Sequence, residues 1–245
     1  MNGPEFTYHS YRQILRKAVK IAPVVPLRDA IDGIPKIILR HDVDFCVNCA
    51  YEMFLLERDL GVRGSYFFMT SSYSYNILDH DNRRMIRTIA ENDFDIGLHF
   101  DPTLYPGMDD KQLYEKCIFE AAIIKEAAGK NVISVSLHNP TSHGQYLLFR
   151  NMINAYSPEL FSDDCYISDS CMDFRGKDIL TFLERAYFQT IQMLIHPMHW
   201  HERQLTYCKI FDRYINYMKE RIHNGYQINK TYLKQCPKGY HQEGQ

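Results

Sequence analysis

The sequence has no excess of charge of either sign and no long apolar run. Lys and Arg number 28 and Asp and Glu number 30, for a formal net charge of −2, so there is no basic surplus to attract a nucleic-acid backbone. No segment approaches the roughly 18 apolar residues of a membrane span, and residues 1–20 contain no apolar stretch of the signal-peptide type. We therefore expect a cytoplasmic protein that binds no nucleic acid and does not insert stably into a membrane.

Cysteine offers no disulfide framework. The seven cysteines are an odd number and are scattered along the chain, which is typical of reduced thiols in a cytosolic protein. Cys46 and Cys49 form a single C-x-x-C pair, and no second pair is present to complete a zinc site. Two thiols at the start of a helix are therefore the favoured interpretation, with a redox pair or half a zinc site as alternatives.

Linkers and internal repeats are also missing. The 245 residues include no stretch rich in Gly, Pro or Ser, so we expect one large domain. Hydrophobic residues make up 45% of the chain, which is close to the globular average and supplies a sizeable core. Residues 1–225 are predicted to form the folded domain, and the polar residues 226–245 are predicted to form a C-terminal tail.

Short apolar segments alternate with longer amphipathic ones. Strands are predicted at 35–40, 64–69, 94–100, 131–138, 164–170 and 190–196. Helices are predicted at 49–61, 81–92, 109–130, 144–153, 177–186 and 202–225. This alternation indicates right-handed βαβ units and a mostly parallel sheet. Six or seven such units fit a barrel or an open doubly wound sheet.

Four of the predicted strands end in acidic residues or histidines. Asp42 and Asp44 end one strand, and His99, His138 and His196 each end another. The carboxyl ends of parallel strands meet at the same edge of a sheet. Two converging carboxylates repel each other unless a cation lies between them or one is protonated. Hydrogen-bonded strand ends are the alternative for any single histidine, but the whole set favours a site.

This set of residues predicts a divalent-metal site. Carboxylate and imidazole ligands suit zinc, while nickel, cobalt, iron and manganese stay open. A bound metal can polarise a carbonyl and lower the pKa of a water molecule. A carboxylate that is not a ligand can then act as general base, and a histidine that is not a ligand as general acid.

These motifs resemble those of the NodB-type polysaccharide deacetylases, metal-dependent enzymes that remove acyl groups from sugars. The similarity runs from “FTYHSYRQIL” to “HPMHW” and is strongest in “LRHDVDF”, “GSYFFM”, “DIGLHFD”, “SLHNP”, “YISDS” and “LIHPMHW”. The sequence is most similar to the cytoplasmic branch that serves O-antigen and surface-polysaccharide biosynthesis. The resemblance implies an α/β fold, a deformed (β/α) barrel of about seven parallel strands in a single domain. It also implies removal of an N-acetyl group from an amino sugar, in a small molecule or a glycan.

The resemblance also implies roles for four residues. The first motif of the family is an Asp pair, which implies Asp42 as the general base and Asp44 as a metal ligand. His99 matches the histidine motif that supplies a second ligand. His196 is followed by proline, as in the last motif of the family, which implies that it is the general acid.

Two positions depart from the family pattern. The family often has a second histidine four residues after the first, where this sequence has Thr103. The third motif usually reads Arg-x-Pro, and here it reads “HNP” with His138 at the arginine position. We infer that His138 supplies the missing third ligand.

Five residues are predicted to contact the substrate: Arg40, Asp169, Ser170, Arg175 and Trp200. Asp169, Ser170 and Arg175 match the acidic and aromatic fourth motif of the family only loosely. Trp200 is the single tryptophan of the chain and follows the last motif. Its ring can pack against a sugar, and a core or lid position is the alternative.

Two other functions fit the same residues. One is a deformylase or amidase that acts on a different small substrate through the same metal site. The other is a catalytically silent protein that binds a carbohydrate or a partner, which the departures at Thr103 and in “HNP” leave open. The presence of both a base and an acid favours the enzyme.

Overall fold

A computed structural model describes residues 4–30, 33–144 and 146–235 of the chain. The chain divides into two compact units, Met1–Gln204 and Leu205–Gln245. Within the described residues, the first unit contains every strand and every residue predicted for the site. The predicted division into a domain of residues 1–225 and a tail of residues 226–245 stays a prediction.

The first unit is built on one parallel sheet. Its strands are β1 Val24–Val25, β2 Ile37–Val43, β3 Ser65–Phe68, β4 Asp95–Phe100, β5 Ser134–Leu137, β6 Ile153–Asn154, β7 Tyr166–Ser168 and β8 Ile191–Ile195. Seven strands follow the order β6-β5-β4-β3-β2-β8-β7, and β1 pairs with β2 alone. The sheet curls into a half-barrel. The predicted deformed (β/α) barrel of about seven parallel strands is therefore confirmed.

Helices connect most of the strands. In the first unit they are α1 Tyr8–Ile21, α2 Val47–Asp59, α3 His80–Glu91, α4 Asp110–Ala128, α5 Pro140–His143 and α6 Ile179–Leu183. The second unit contains α7 Tyr207–Tyr226 and α8 Lys230–Gln235. The sequence marks the ends of α4 clearly, because Asp109 and Gln112 form a capping box and Gly129 closes the helix at φ 72°. Among the described residues, no helix is both long and apolar enough to cross a bilayer.

The interior of the half-barrel is polar along β2. Arg40 and Asp42 lie two residues apart on this strand and bond to each other in the interior, because alternate side chains of a strand share a face. Gly97 on β4 leaves room for this arrangement. A Cβ atom at Gly97 would overlap the ring of Phe67, and that ring packs 5.7 Å from the Arg40 guanidinium.

A second buried polar network lies on the opposite face of β2. Glu57 of α2 has no exposed surface and accepts hydrogen bonds from Tyr11 (2.6 Å) and Tyr66 (2.9 Å). Nε2 of His41 lies 2.8 Å from the same carboxylate. Burial first, and then the charge of Glu57, raise the pKa of both tyrosines, so both stay neutral donors. The network ties α1, α2 and β3 to the back of the strand that leads to the site.

Cys46 and Cys49 are joined as a disulfide, so the expectation of two free thiols is wrong for this pair. Cys46 is the N-cap residue of α2. The first turn of the helix brings the two Cα atoms to 5.3 Å, which lies within the usual range for a disulfide. Four other described cysteines are free: Cys117, Cys165, Cys171 and Cys208.

Candidate active site

Three predicted metal ligands converge at the carboxyl ends of the strands. Asp44 follows β2, His99 lies in β4 and His138 follows β5. Oδ1 of Asp44 lies 3.1 Å from Nε2 of His99 and 3.2 Å from Nδ1 of His138, and the two imidazole nitrogens are 3.2 Å apart. The structure therefore brings the three predicted ligands together in one group.

The group has the composition and spacing of a metal site. Ligand atoms held tetrahedrally at about 2.1 Å from one zinc ion lie roughly 3.4 Å apart, close to the separations of this triad. Oδ1 of Asp44 is buried, and no hydrogen bond of good geometry reaches it from the described residues. Burial favours the neutral acid, but His138 and His99 outweigh it and hold the pKa of Asp44 well below its usual value. A carboxylate in this setting accommodates a divalent cation.

Thr103 does not join this group. Its hydroxyl donates a 2.6 Å hydrogen bond to Oδ1 of Asp101, which caps the short 3₁₀ turn Pro102–Leu104. The position where the family often has a second histidine thus takes part in a local turn.

Asp42 lies beside the triad and is clasped by Arg40. The guanidinium donates from Nε to Oδ1 (3.0 Å) and from Nη2 to Oδ2 (2.7 Å). The hydroxyl of Ser136 lies 3.1 Å from Oδ1. Burial alone would raise the pKa of Asp42, but the Arg40 charge outweighs it and the pKa is lowered. Asp42 is therefore an anionic acceptor that is almost fully buried.

His196 faces the triad from another side and is paired with Asp169. Nδ1 of His196 donates to Oδ1 of Asp169 at 2.6 Å, and Nε2 lies 3.9 Å from Oδ2 of Asp44. Burial would lower the pKa of His196, but the charge of Asp169 outweighs it and raises the pKa to about 9. His196 is thus held as a proton donor at neutral pH.

Asp169 is the anchor of this part of the site. It has no exposed surface and accepts hydrogen bonds from the His196 backbone N–H (2.9 Å) and the indole of Trp200 (2.8 Å). His199 lies 3.5 Å away, so Asp169, His196 and His199 form a second group with metal-like spacing. The backbone N–H of His196 donates to Oδ1 and the indole N–H of Trp200 donates to Oδ2, so both oxygens of Asp169 already accept hydrogen bonds. We therefore interpret this second group as a buried carboxylate that is held by hydrogen bonds.

A cavity of about 570 Å³ opens onto the triad. The residues of the triad line it together with Asp42 and His196. Its wall includes four aromatic residues: Tyr156, Phe161, Tyr166 and Phe174. The rings of the first three contact one another in sequence, with centroids 4.8 Å apart at each step. The base of the cavity is therefore polar, and one of its walls is aromatic.

The predicted substrate contacts divide into two groups. Ser170 and Arg175 line the cavity. Arg40, Asp169 and Trp200 have no exposed surface and bond to partners inside the protein. This placement differs from the prediction, because a fully buried side chain cannot touch a substrate in this structure.

Sequence reasoning overlooked Ser136 and the bond between His196 and Asp169. Ser136 lies two residues before His138 on β5, so strand alternation could have placed it on the interior face. No comparable signal links Asp169 to His196, because the two residues follow different strands, β7 and β8, and meet only in the folded sheet.

No family model and no curated protein matches the sequence. Similar folds occur among solved structures. A CE4 family pseudoenzyme from Bacillus anthracis is 14% identical with a TM-score of 0.44, over 77% of this chain and 62% of the other. The chitin deacetylase of the fungal pathogen Colletotrichum lindemuthianum is 11% identical with a TM-score of 0.44, over 74% and 80%.

A family 4 acetyl xylan esterase from Clostridium thermocellum, solved with a cobalt ion, is 12% identical with a TM-score of 0.40, over 76% of this chain and 84% of the other. The chain aligns with less than two thirds of the length of the pseudoenzyme. At these identities and scores the function has to be argued from the site itself.

Proposed function

We propose that the protein is a metal-dependent hydrolase that removes an acyl group, acetyl in the first instance, from the nitrogen of an amino sugar. One observation carries the proposal: an anionic acceptor and a protonated histidine flank a ligand triad in a single cavity. The motif resemblance to NodB-type deacetylases supports the choice of substrate. We place the reaction in the cytoplasm, in the biosynthesis of a bacterial surface polysaccharide such as O-antigen.

The triad of Asp44, His99 and His138 would hold the cation, with zinc as the expected ion. When bound, the cation supplies Lewis-acid polarisation of the amide carbonyl and a lower pKa for a nearby water molecule. The two imidazoles and the carboxylate of the triad would place this chemistry at the base of the cavity.

The chain's own residues move the protons. Oδ1 of Asp42 accepts two hydrogen bonds, from Arg40 and Ser136, whereas Oδ2 accepts only one of these, from Arg40, so Oδ2 is the oxygen proposed to take the proton of the attacking water. Nδ1–H of His196 is held by Asp169, which leaves Nε2–H to protonate the leaving nitrogen. Water adds to the carbonyl carbon, the C–N bond breaks, and the products are a carboxylate and a free amine.

The buried residues Arg40, Asp169 and Trp200 are proposed to act through the side chains they bond to, without contact to the substrate. Arg40 keeps Asp42 ionised and oriented, and Asp169 keeps His196 protonated. Trp200 donates to Asp169 and helps hold it in place. Ser170 and Arg175 remain the proposed contacts to the substrate, because they line the cavity.

The test combines metal content with a substrate panel. Protein purified without chelator or histidine tag is analysed for metal as wild type, Asp42→Asn and Asp44→Asn, with Asp101→Asn as a matched control outside the triad. N-acetylated and N-formylated amino sugars are then assayed for release of free amine. We expect about one equivalent of metal in all but Asp44→Asn, and amine release only by the wild type and the control.

The outcomes separate the competing functions. Release from N-formyl substrates alone would favour the deformylase. Metal binding without any amine release would favour the carbohydrate-binding protein. Full activity of Asp42→Asn would overturn the assigned roles.

A further inference from the structure

Ser136 bridges the proposed base and one proposed metal ligand. His99 and Ser136 are register partners on the neighbouring strands β4 and β5. Oγ of Ser136 lies 2.5 Å from Nδ1 of His99 and 3.1 Å from Oδ1 of Asp42. The serine is fully buried, so water does not compete for its hydroxyl.

The single hydroxyl proton of Ser136 has a defined direction. Asp42 is clasped by the Arg40 guanidinium through both oxygens, so it is a carboxylate that can only accept. Ser136 therefore donates its proton to Asp42. Its oxygen is then free to accept, and Nδ1 of His99 must be the protonated nitrogen of that ring.

This direction settles the tautomer of the ligand. With the proton on Nδ1, the lone pair of the His99 ring lies on Nε2. Nε2 is the atom 3.1 Å from Asp44 and 3.2 Å from His138. We propose that Ser136 is a positioning residue that fixes His99 in its metal-binding tautomer and couples that ligand to Asp42. The inference rests on the proposed metal site.

The other histidine ligand has a different kind of partner at its second nitrogen. Nε2 of His138 lies 2.9 Å from the side-chain amide of Asn139. An amide can donate through its nitrogen or accept through its oxygen after a flip, and Asn139 is exposed. The partner of His138 thus lies at an exposed position, whereas the hydrogen bond that orients His99 is buried.

A hydrogen-bonded chain thus runs from Arg40 through Asp42 and Ser136 to His99. Partners of this kind orient metal ligands and raise their basicity, and their loss typically lowers metal affinity 10–100-fold. Removing the Ser136 hydroxyl leaves Asp42 in place, because Arg40 still holds it. The expected defect is therefore one of metal affinity.

The experiment measures zinc affinity by competition with a chromophoric chelator. Ser136→Ala is compared with wild type, with Ser136→Thr as the conservative variant, and with Ser134→Ala as the matched control. Ser134 is equally buried on the same strand and face. We expect about 10–100-fold weaker zinc binding for Ser136→Ala, recovery towards wild type for Ser136→Thr, and at most a few-fold change for Ser134→Ala.

A second measurement keeps the inference testable if the threonine methyl group disturbs the interior. Long-range ¹H–¹⁵N spectra of histidine-labelled, metal-free protein report which nitrogen of the neutral ring carries the proton. We expect Nδ1–H for His99 in wild type and a mixture of tautomers in Ser136→Ala. Wild-type affinity together with a single unchanged tautomer in Ser136→Ala would overturn the role of Ser136 and leave the metal site intact. Failure of the wild type to bind zinc would overturn the proposed function itself.

Discussion

At the scale of single residues, the pair of Arg40 and Asp42 shows how a strand can support a buried charge. The two residues are neighbours on one face of β2, so the guanidinium reaches both carboxylate oxygens without help from another element. Arg40 also stacks 4.5 Å from the ring of Tyr156, a contact that suits a planar cation. The carboxylate proposed as the base is thereby fixed in charge and direction before any substrate arrives.

Removing the charge of Arg40 is predicted to destabilise the fold. Arg40→Met keeps much of the side-chain volume but leaves the buried Asp42 carboxylate unpaired, which costs about 3–5 kcal/mol of unfolding free energy. Urea denaturation measures this loss. Arg58→Met is the control, because Arg58 forms an exposed pair with Asp59 and should cost less than about 1 kcal/mol.

The double variant Arg40→Met/Asp42→Asn tests the cause of this loss. If the unpaired charge is responsible, the double variant recovers a large part of the lost stability. An equal loss in the single and double variants would instead point to packing around Phe67 and Tyr156.

At the scale of secondary structure, strand alternation predicted much of the site. Asp42 and Asp44 share a face because they are two residues apart, and the three histidines at strand ends were expected at one rim. The grouping of the triad follows from these patterns and the parallel sheet from the alternation of strands with helices, whereas the deformed barrel was implied by the family resemblance. The pairing of each histidine with a carboxylate depends on the order of the strands in the sheet. That order cannot be predicted from the periodicity of the sequence.

The predicted helix at 144–153 is wrong where the structure describes it. Residues 146–152 form turns and irregular backbone before β6 begins at Ile153. Asn151 adopts a left-handed conformation. The amide of Asn154 bonds to the backbone of Phe149 and Met152. Side-chain hydrogen bonds of this kind satisfy backbone N–H and C=O groups in a loop, so no helix is needed to pair them. The pattern of apolar residues does not reveal such bonds.

Helix α1 was not predicted, although its buried residues recur at helical spacing: Tyr8, Tyr11, Ile14, Leu15 and Ala18. Its N-cap is Thr7, whose side chain accepts a hydrogen bond from the backbone of Ser10. That capping signal is present in the sequence and could have marked the start of the helix.

Glu120 of α4 links the helix to two loops beside the rim, and it makes stability depend on pH. It accepts hydrogen bonds from Tyr105 (2.6 Å) and from Thr70. Burial raises its pKa despite these hydrogen bonds. Because the folded pKa lies above the unfolded value of about 4.3, the ionised carboxylate disfavours the folded state. This cost is absent below the unfolded pKa and complete above the folded pKa.

Glu120→Gln should therefore gain stability relative to wild type as the pH rises from about 4 to 7. Thermal or urea unfolding across this range measures the difference. Glu115→Gln, at an exposed position of the same helix, is the matched control. A difference between Glu120→Gln and wild type that stays flat or falls with rising pH would contradict the assigned cause.

At the scale of the whole molecule, the first unit holds the complete sheet and all residues of the proposed site. A chain that ends at Gln204 is therefore predicted to fold and to bind zinc as tightly as the full chain. Circular dichroism and zinc titration check this against a chain that ends at residue 225, where composition placed the end of the domain. An insoluble shorter chain beside a folded longer one would support the boundary at residue 225.

The three proposed ligands come from three separate strand ends, which has a thermodynamic consequence. A cation that binds only the folded arrangement raises the free energy of unfolding with its concentration, by about 2.7 kcal/mol at a hundredfold excess over Kd. The melting temperature of the protein would then rise with the concentration of free zinc. Metal binding and folding would then be thermodynamically coupled, so a fall in the concentration of free zinc would lower the thermal stability of the protein.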